Sequence, residues 1–213
     1  MSISVIGTGN MAQGLAALFS KAGYDVILGS RDKAKAAQIA TTLGGNVSAE
    51  DIGEAAARSD VVVLAIPFDA AKDALVAAGN LDGKVVIDIT NPLTADYSGL
   101  TIGHTTSAAE EIQKLAPRAK VVKAFNTVFS SVLQAGGKVN GTPVTVFLAG
   151  DDVDAKQVVS AIVGNAGLSS IDAGGLSAAR YLEPLAGLNI ALGYGQGHGT
   201  DIAPAWLNVK SKA

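Results

Sequence analysis

The stretch GTGNMA at residues 7–12 has the glycine-x-glycine-x-x-alanine spacing that brings a chain's backbone against a pyrophosphate. Gly7 suits a tight turn, Gly9 permits close backbone approach, and Ala12 lets a helix pack closely on a strand. A helix opening near Asn10 directs unpaired N–H groups and the positive end of its dipole at the anion. Such a turn is informative only in context. Here it follows the β-branched run ISVIG, residues 3–7, and leads into NMAQGLAALFSKAG, residues 10–23, apolar at Met11, Leu15, Leu18 and Phe19.

The next apolar run, YDVILGS, ends at Leu28-Gly29-Ser30-Arg31. Chains selective for NAD place Asp or Glu at this strand end to accept the ribose 2′-hydroxyl. A carboxylate there repels a 2′-phosphate, whereas the Ser30 hydroxyl and the Arg31 guanidinium suit one through charge-assisted bonds. The expected cofactor is therefore NADP(H). Lys35, four residues after Arg31, is expected on the same face of the following helix as a second cation. Asp32 is expected to point outward from the first helical turn, where the dipole favours it. The plain alternative is that Arg31 and Lys35 form a solvated basic face.

Other chemistries lack their residues. None of Tyr24, Tyr97, Tyr181 and Tyr194 is followed four positions later by lysine, so the Tyr-x-x-x-Lys pair of short-chain dehydrogenases is missing. There is no cysteine, and His104 and His198 are the only histidines, so no metal site, disulfide or catalytic triad is expected. His198 reads as loop decoration. GYGQGHG, residues 193–199, suits either backbone approach to a flat ring, a mobile lid, or a flexible helix end. Arg180 and Glu183 are spaced for a mutual ion pair on one helix. Trp206 reads as packing on the site or a dimer seam.

The elements that must position these residues alternate along the chain. Helices are expected over 32–45, over 48–60 with Ser48 as cap, near 69–78, over 106–116 and over 151–167. Apolar runs DVVVLAIP, KVVIDIT, KVVKAFN, PVTVFLAG and SSIDA read as strands between them. This predicts an α/β fold, a Rossmann-like doubly wound, mostly parallel sheet with a short C-terminal helical segment. With 213 residues, 48% of them hydrophobic, one domain is expected: a dinucleotide-binding core over 1–150, completed by a strand and helices over 151–213. A net charge of −3 without basic runs argues against nucleic-acid or membrane-surface partners. The first apolar stretch, broken by Gly7 and Gly9, is too short for a signal peptide or membrane span, and a cytoplasmic location is expected. The apolar C-terminal helices suggest a homodimer.

Taken together, GTGNMA, GSRDKAKA, VLAIP, SAAEEI, VVKAFNT and DAGGLSAARYLEPL resemble the NADP-dependent oxidoreductases that use the deazaflavin coenzyme F420. They are also similar to the oxidoreductase domain of the STEAP metalloreductases, which pass electrons from NADPH to a flavin. The resemblance implies that Gly7, Thr8, Gly9, Asn10 and Met11 line the pyrophosphate turn and that Ser30, Arg31 and Lys35 hold the 2′-phosphate. It implies that Ile66, Pro67, Asn91 and Pro92 lie along the adenosine ribose or the path to the nicotinamide. Ala124, Phe125, Asn126 and Thr127 would sit at a strand's carboxyl end beside the nicotinamide. At Asn126 the chain departs from the deazaflavin members, which carry histidine there. The implied reaction is hydride transfer between NADP(H) and FMN, FAD or F420, which asks for ring positioning and water exclusion rather than a catalytic side chain. The competing readings are a non-catalytic NADP(H)-sensing module and a reductase of a small imine or carbonyl.

Overall fold

The computed structural model describes residues 1–206; the end of the expected C-terminal segment, residues 207–213, lies outside the described residues. β1 (Ser2–Ile6), α1 (Asn10–Lys21), β2 (Asp25–Gly29), α2 (Lys33–Leu43) and β3 (Val47–Glu50) come first. α3 (Ile52–Ala57), β4 (Val61–Leu64), a 3₁₀ turn (Phe68–Ala70), α4 (Ala71–Ala78), β5 (Val85–Asp88), α5 (Ala108–Leu115) and β6 (Lys120–Lys123) follow. The last part holds α6 (Ser130–Gln134), a hairpin of β7 (Lys138–Val139) and β8 (Thr142–Pro143), β9 (Thr145–Gly150), α7 (Val153–Asn165) and β10 (Ser169–Asp172). It closes with a 3₁₀ turn (Leu176–Ala178), α8 (Ala179–Ile190) and a π-helical turn (Ala191–Gly195).

Eight strands form one sheet in the order β10-β9-β6-β5-β4-β1-β2-β3. The chain works outward from β1 to β3, then returns to the other side of β1 to lay down β4, β5 and β6, all parallel. The switch point between β1 and β4 is where open α/β sheets form a ligand crevice at the strands' carboxyl ends. β9 is antiparallel to β6 and pairs with it only at Val122–Gly150 and Lys123–Ala149, so the rest of β9 runs past the carboxyl end of β6. The sheet is thus mostly parallel, as the alternating pattern predicts.

Alternation along the strands builds a core on each face. Val61 and Val63 join Ile3, Val5, Val26 and Leu28 under α1 and α7, which contribute Leu15, Phe19, Val159 and Ile162. Val62 and Leu64 join Ile6, Ile27, Val86 and Val121 under α3, α4 and α5, which contribute Ile52, Leu75 and Ile112. Among the described residues no helix is long and apolar enough to cross a membrane.

Two local expectations are corrected. Residues 47–50 are an edge strand, not a helix capped by Ser48, because β2 leaves a free edge whose ladder takes up their backbone groups. α3 begins at Ile52, capped by Asp51, whose Oδ1 accepts from the Glu54 N–H at 2.9 Å. Asp32 is likewise the cap of α2, not a first-turn residue: its Oδ1 accepts from the Lys35 N–H at 2.9 Å.

The turn from β1 to α1 depends on Gly7. Its φ is +133°, and a Cβ there would lie 2.3 Å from the Ala65 carbonyl oxygen at the end of β4. A Gly7→Ala variant is therefore expected to lose about 2–3 kcal/mol of stability from backbone strain and the collision. A urea denaturation midpoint unchanged from wild type would contradict this.

Candidate active site

At the carboxyl end of β1 the fingerprint leaves a cradle. Gly9 caps α1 without a side-chain bond, no acidic residue stands in the helix's first turn, and a Cβ on Gly9 would meet nothing within 4 Å. Open space beside an uncapped helix N-terminus suits an anion. Gln13 Nε2 donates to the Thr8 carbonyl at 3.0 Å and fixes the turn, while Ala12 is buried against the core.

Gly29 ends β2 for a steric reason: a Cβ there would lie 2.5 Å from Ile6 Cδ1 and 3.0 Å from Ala55 Cβ. Beyond it, Ser30 and Arg31 join Gly7, Thr8, Gly9, Ile66 and Pro67 around a cleft of about 280 Å³, with Asp73 also on its wall. Arg31 is exposed and makes no ion pair among the described residues. Ser30 Oγ accepts from the Asp32 N–H at 3.1 Å. Lys35 does not line this cleft. Since Asp32 is the cap, Arg31 precedes α2, and a four-residue spacing does not put Arg31 and Lys35 on one helical face. The cations beside Arg31 are instead Lys33 and Arg58, both paired with Glu50 at the end of β3, Arg58 at 2.8 Å.

Ile66, Pro67 and Gly9 also border a second cleft of about 560 Å³ that takes in Asn10, Met11, Thr90, Asn91 and Tyr97. Met11, Asn91 and Tyr97 continue into a recess of about 210 Å³ with Asn126, Thr127, Phe129, Asn189 and Tyr194. The three spaces form one path across the carboxyl edge of the sheet. At its far end Asn91 Nδ2 donates to the Asn126 carbonyl at 2.9 Å, and Asn126 Nδ2 donates to Asn91 Oδ1 and to the Leu182 carbonyl. Asn189 Nδ2 donates to the Thr127 carbonyl at 3.1 Å. Thr90 Oγ1, Asn126 Oδ1 and Thr127 Oγ1 are buried and have no partner among the described residues. Buried polar atoms ordinarily find one, so Asn126 and Thr127 on the recess, with Thr90 on the adjoining cleft, suit a ligand with polar edges.

Three residues of the implied set stay behind the wall. Ala124 and Phe125 are wholly buried, Phe125 edge-on to Phe19 at 5.8 Å. Phe125 adopts φ +59°, a strained conformation for an aromatic residue, and turns the chain so that Asn126 and Thr127 reach the recess. Pro92 is buried, its carbonyl taken by the Thr101 N–H at 2.7 Å, and it lines none of the three spaces.

Beneath the recess lies a charge cluster that periodicity does not reveal. Lys123, at 0% exposure, directs Nζ to Asp88 Oδ2 at 2.8 Å, the Thr90 carbonyl at 2.6 Å and Glu183 Oε1 at 2.8 Å. All three ammonium protons are thereby used. Glu183 also accepts the Ala108 and Ala109 N–H groups at the start of α5, at 2.9 and 3.2 Å. Burial pushes the Glu183 carboxyl above its usual range, against the pull of Lys123 and those two donors. The expected Arg180–Glu183 pair is therefore corrected. Glu183 faces inward, while Arg180 grips Glu110 of α5 with a fork of 2.9 and 2.6 Å and holds that carboxyl below its usual range. The available signal was a charged residue embedded in each apolar run: VVKAF, VIDIT and LEPLAGL.

The glycine-rich tail of α8 is tied down. Gly193 is packed against the Phe129 ring, Tyr194 meets that ring edge-on at 5.7 Å, and the Gly199 N–H donates to the Gly193 carbonyl. His198 is exposed and lines none of these spaces. Trp206 packs edge-on against Phe147 of β9 at 5.5 Å.

A doubly wound sheet with a glycine cradle at its switch point and a path along its carboxyl edge defines the dinucleotide-binding oxidoreductase class. Residues 2–92 match the family described as NADP oxidoreductase, coenzyme F420-dependent. The F420-dependent NADP reductase of Methanothermobacter thermautotrophicus is 33% identical over 210 residues, covering 90% of this chain and 89% of that protein. A solved structure from Arthrobacter sp. FB24, assigned to the F420-dependent NADP-reductases, superposes with a TM-score of 0.85 at 31% identity, covering 94% and 96% of the two chains. Metalloreductase STEAP3 of Rattus norvegicus is 30% identical over 183 residues, and the chain spans 36% of its length. The chain belongs to the F420-dependent NADP reductase family of NADP-dependent oxidoreductases.

The buried cluster makes a testable demand on stability. A Lys123→Met variant leaves two carboxyl groups buried without their cation and is expected to lose about 3–5 kcal/mol. Glu183 has a folded pKa raised above 4.5, so the stability its protonated form contributes is complete below that value and lost as pH rises through the raised one. Without Lys123 the rise is larger, so the variant's deficit is expected to shrink as the pH is lowered from neutrality toward 4.5. Urea midpoints at several pH values measure it, and a deficit independent of pH would count against the arrangement.

Proposed function

We propose that this protein transfers hydride between NADP(H) and a flavin or deazaflavin of the F420 type. The observation that carries the reading is the pairing of two features on one path. Arg31, without an ion pair among the described residues, stands beside Ser30 where an NAD-selective chain has a carboxylate, and a recess with two buried polar atoms unpartnered among those residues, Asn126 Oδ1 and Thr127 Oγ1, lies at the other end.

In this reading Gly7, Thr8, Gly9, Asn10 and Met11 surround the pyrophosphate, with the α1 N–H groups supplying the donors. Ser30 and Arg31 hold the 2′-phosphate. Lys33 and Arg58 neutralise Glu50 and keep its charge from opposing that phosphate. Ile66, Pro67 and Asn91 line the way to the recess, where Asn126 Oδ1 and Thr127 Oγ1 offer hydrogen bonds to a carboxamide edge. A dihydronicotinamide bound there supplies the hydride. The protein's own part is to hold two rings in register and exclude water, so no side chain need donate or accept a proton. The assembly in this reading is a homodimer through α8 and the π-helical turn after it, which carry Tyr181 and Leu188 on the helix and Leu192 on the turn, all exposed.

The nucleotide half of the reading is tested by the binding of NADPH and NADH to wild type and to Arg31→Ala. Wild type is expected to prefer NADPH, and loss of a charge-assisted phosphate contact is expected to erase about 10- to 100-fold of that preference. Equal affinities in wild type would remove its main support. The acceptor half is tested by loss of nicotinamide absorbance when NADPH is supplied with FMN, FAD or F420, and silence with all of them would favour a sensing role. In solution the mass is expected near twice 21.3 kDa, and a monomeric value by light scattering would refute the dimer.

A further inference from the structure

Outside the recess the path opens into a cavity of about 700 Å³ lined by Asp96, Tyr97, Ser98, Ile190, Tyr194 and Gln196. Tyr97 and Tyr194 border both spaces, yet each is largely exposed, at 65% and 71%. Each aromatic residue is held in place by its neighbours. Tyr194 is fixed against Phe129, and Tyr97 sits at φ +59° in a turn stapled by its neighbour. Asp96 is that staple: its Oδ1 accepts from Thr94 Oγ1 at 2.6 Å, Ser98 Oγ at 2.8 Å and the Ser98 N–H at 3.1 Å. Those donors lower the Asp96 carboxyl to about 2, so it is charged at neutral pH. Its Oδ2 makes no hydrogen bond among the described residues. No lysine, arginine or histidine lines the cavity or the recess, which leaves the Asp96 carboxylate as their one formal charge among the described residues.

A strained tyrosine and a fixed one at the mouth of a cleft, with one carboxylate and no cation beside them, suit a flat aromatic ligand that carries no anionic group at this end. We propose that this cavity takes the electron acceptor as a flat ring held between Tyr97 and Tyr194, and that the Asp96 carboxylate selects against acceptors bearing a phosphate close to the ring. The proposal rests on the hydride-transfer reading for the identity of the ligand as an electron acceptor. Asp96 Oδ2 remains free to accept from an imide-type N–H on the ring edge, a bond that a neutral flavin ring supplies.

Riboflavin and FMN share one ring and differ in a terminal phosphate, so their ratio isolates the charge effect. The measurement is quenching of flavin fluorescence on titration with the protein in excess NADP⁺, where no turnover occurs. Riboflavin is expected to bind about five- to tenfold more tightly than FMN at low salt, and the ratio is expected to fall at about 0.5 M salt as the charge is screened. Asp96→Asn keeps one oxygen to accept the turn's hydrogen bonds and is expected to bring the ratio within about twofold. Tyr97→Leu and Tyr194→Leu are each expected to weaken both flavins alike, by about tenfold. FMN binding as tightly as riboflavin to wild type, binding of neither flavin, or a ratio unmoved by salt would overturn the proposal, and the wild-type ratio decides even where a variant does not fold. Absence of NADPH oxidation with every acceptor, alongside the expected binding ratio, would sink the hydride-transfer reading and leave the charge selection standing.

Discussion

The contact on which the rest depends is the ammonium group of Lys123, closed in between Asp88, the Thr90 carbonyl and Glu183. It ties the ends of two adjacent strands, β5 and β6, to a helix laid down some sixty residues later. Glu183 also receives the first N–H groups of α5, so one carboxyl group joins α8, α5 and the sheet. A buried charge cluster contributes little net stability, because desolvation offsets most of the attraction. What it does is fix position, since an alternative seating of α8 would strand a charge in the core. Asn126 bonding to Leu182 and Asn189 bonding to Thr127 then follow from that seating and shape the recess directly above.

Position is bought there with strain. Phe125 holds a left-handed backbone immediately after Lys123 and Ala124, in a segment that packing against Phe19 and the ion cluster leaves no freedom to relax. The result is two polar side chains, Asn126 and Thr127, delivered to the cleft just past a strand whose Val121, Val122 and Lys123 are buried. The antiparallel β9 contributes to the same end: by overrunning β6 it places Phe147 and Ala149 against Leu182 and backs the helix from behind.

How much of this was legible follows from the range of each signal. GTGNMA and the Ser30-Arg31 strand end are local patterns with local causes, so the cradle and the cleft beside it stand where the residues alone put them. β3 was not legible, because VSAE alternates over only four residues, with Val47 its one strong strand former, and becomes a strand only when β2 offers an edge. Lys35 stands away from the cleft because Asp32 caps α2 and leaves Arg31 outside the helix, so no helical spacing relates Arg31 to Lys35. Asp88, Lys123 and Glu183 come from three distant segments, and only their shared burial relates them. The cleft's far end was legible as residue types near strand ends, but not as geometry, since Pro92, Ala124 and Phe125 face inward where Asn91, Asn126 and Thr127 face out.

The walls of the first cleft all come from residues 6–74, whereas the recess and outer cavity draw mainly on residues 89–196. The two ends of the path are therefore modular along the chain. A lineage, or an engineer, can exchange the later segment to retarget what sits opposite the cofactor without disturbing which cofactor is chosen.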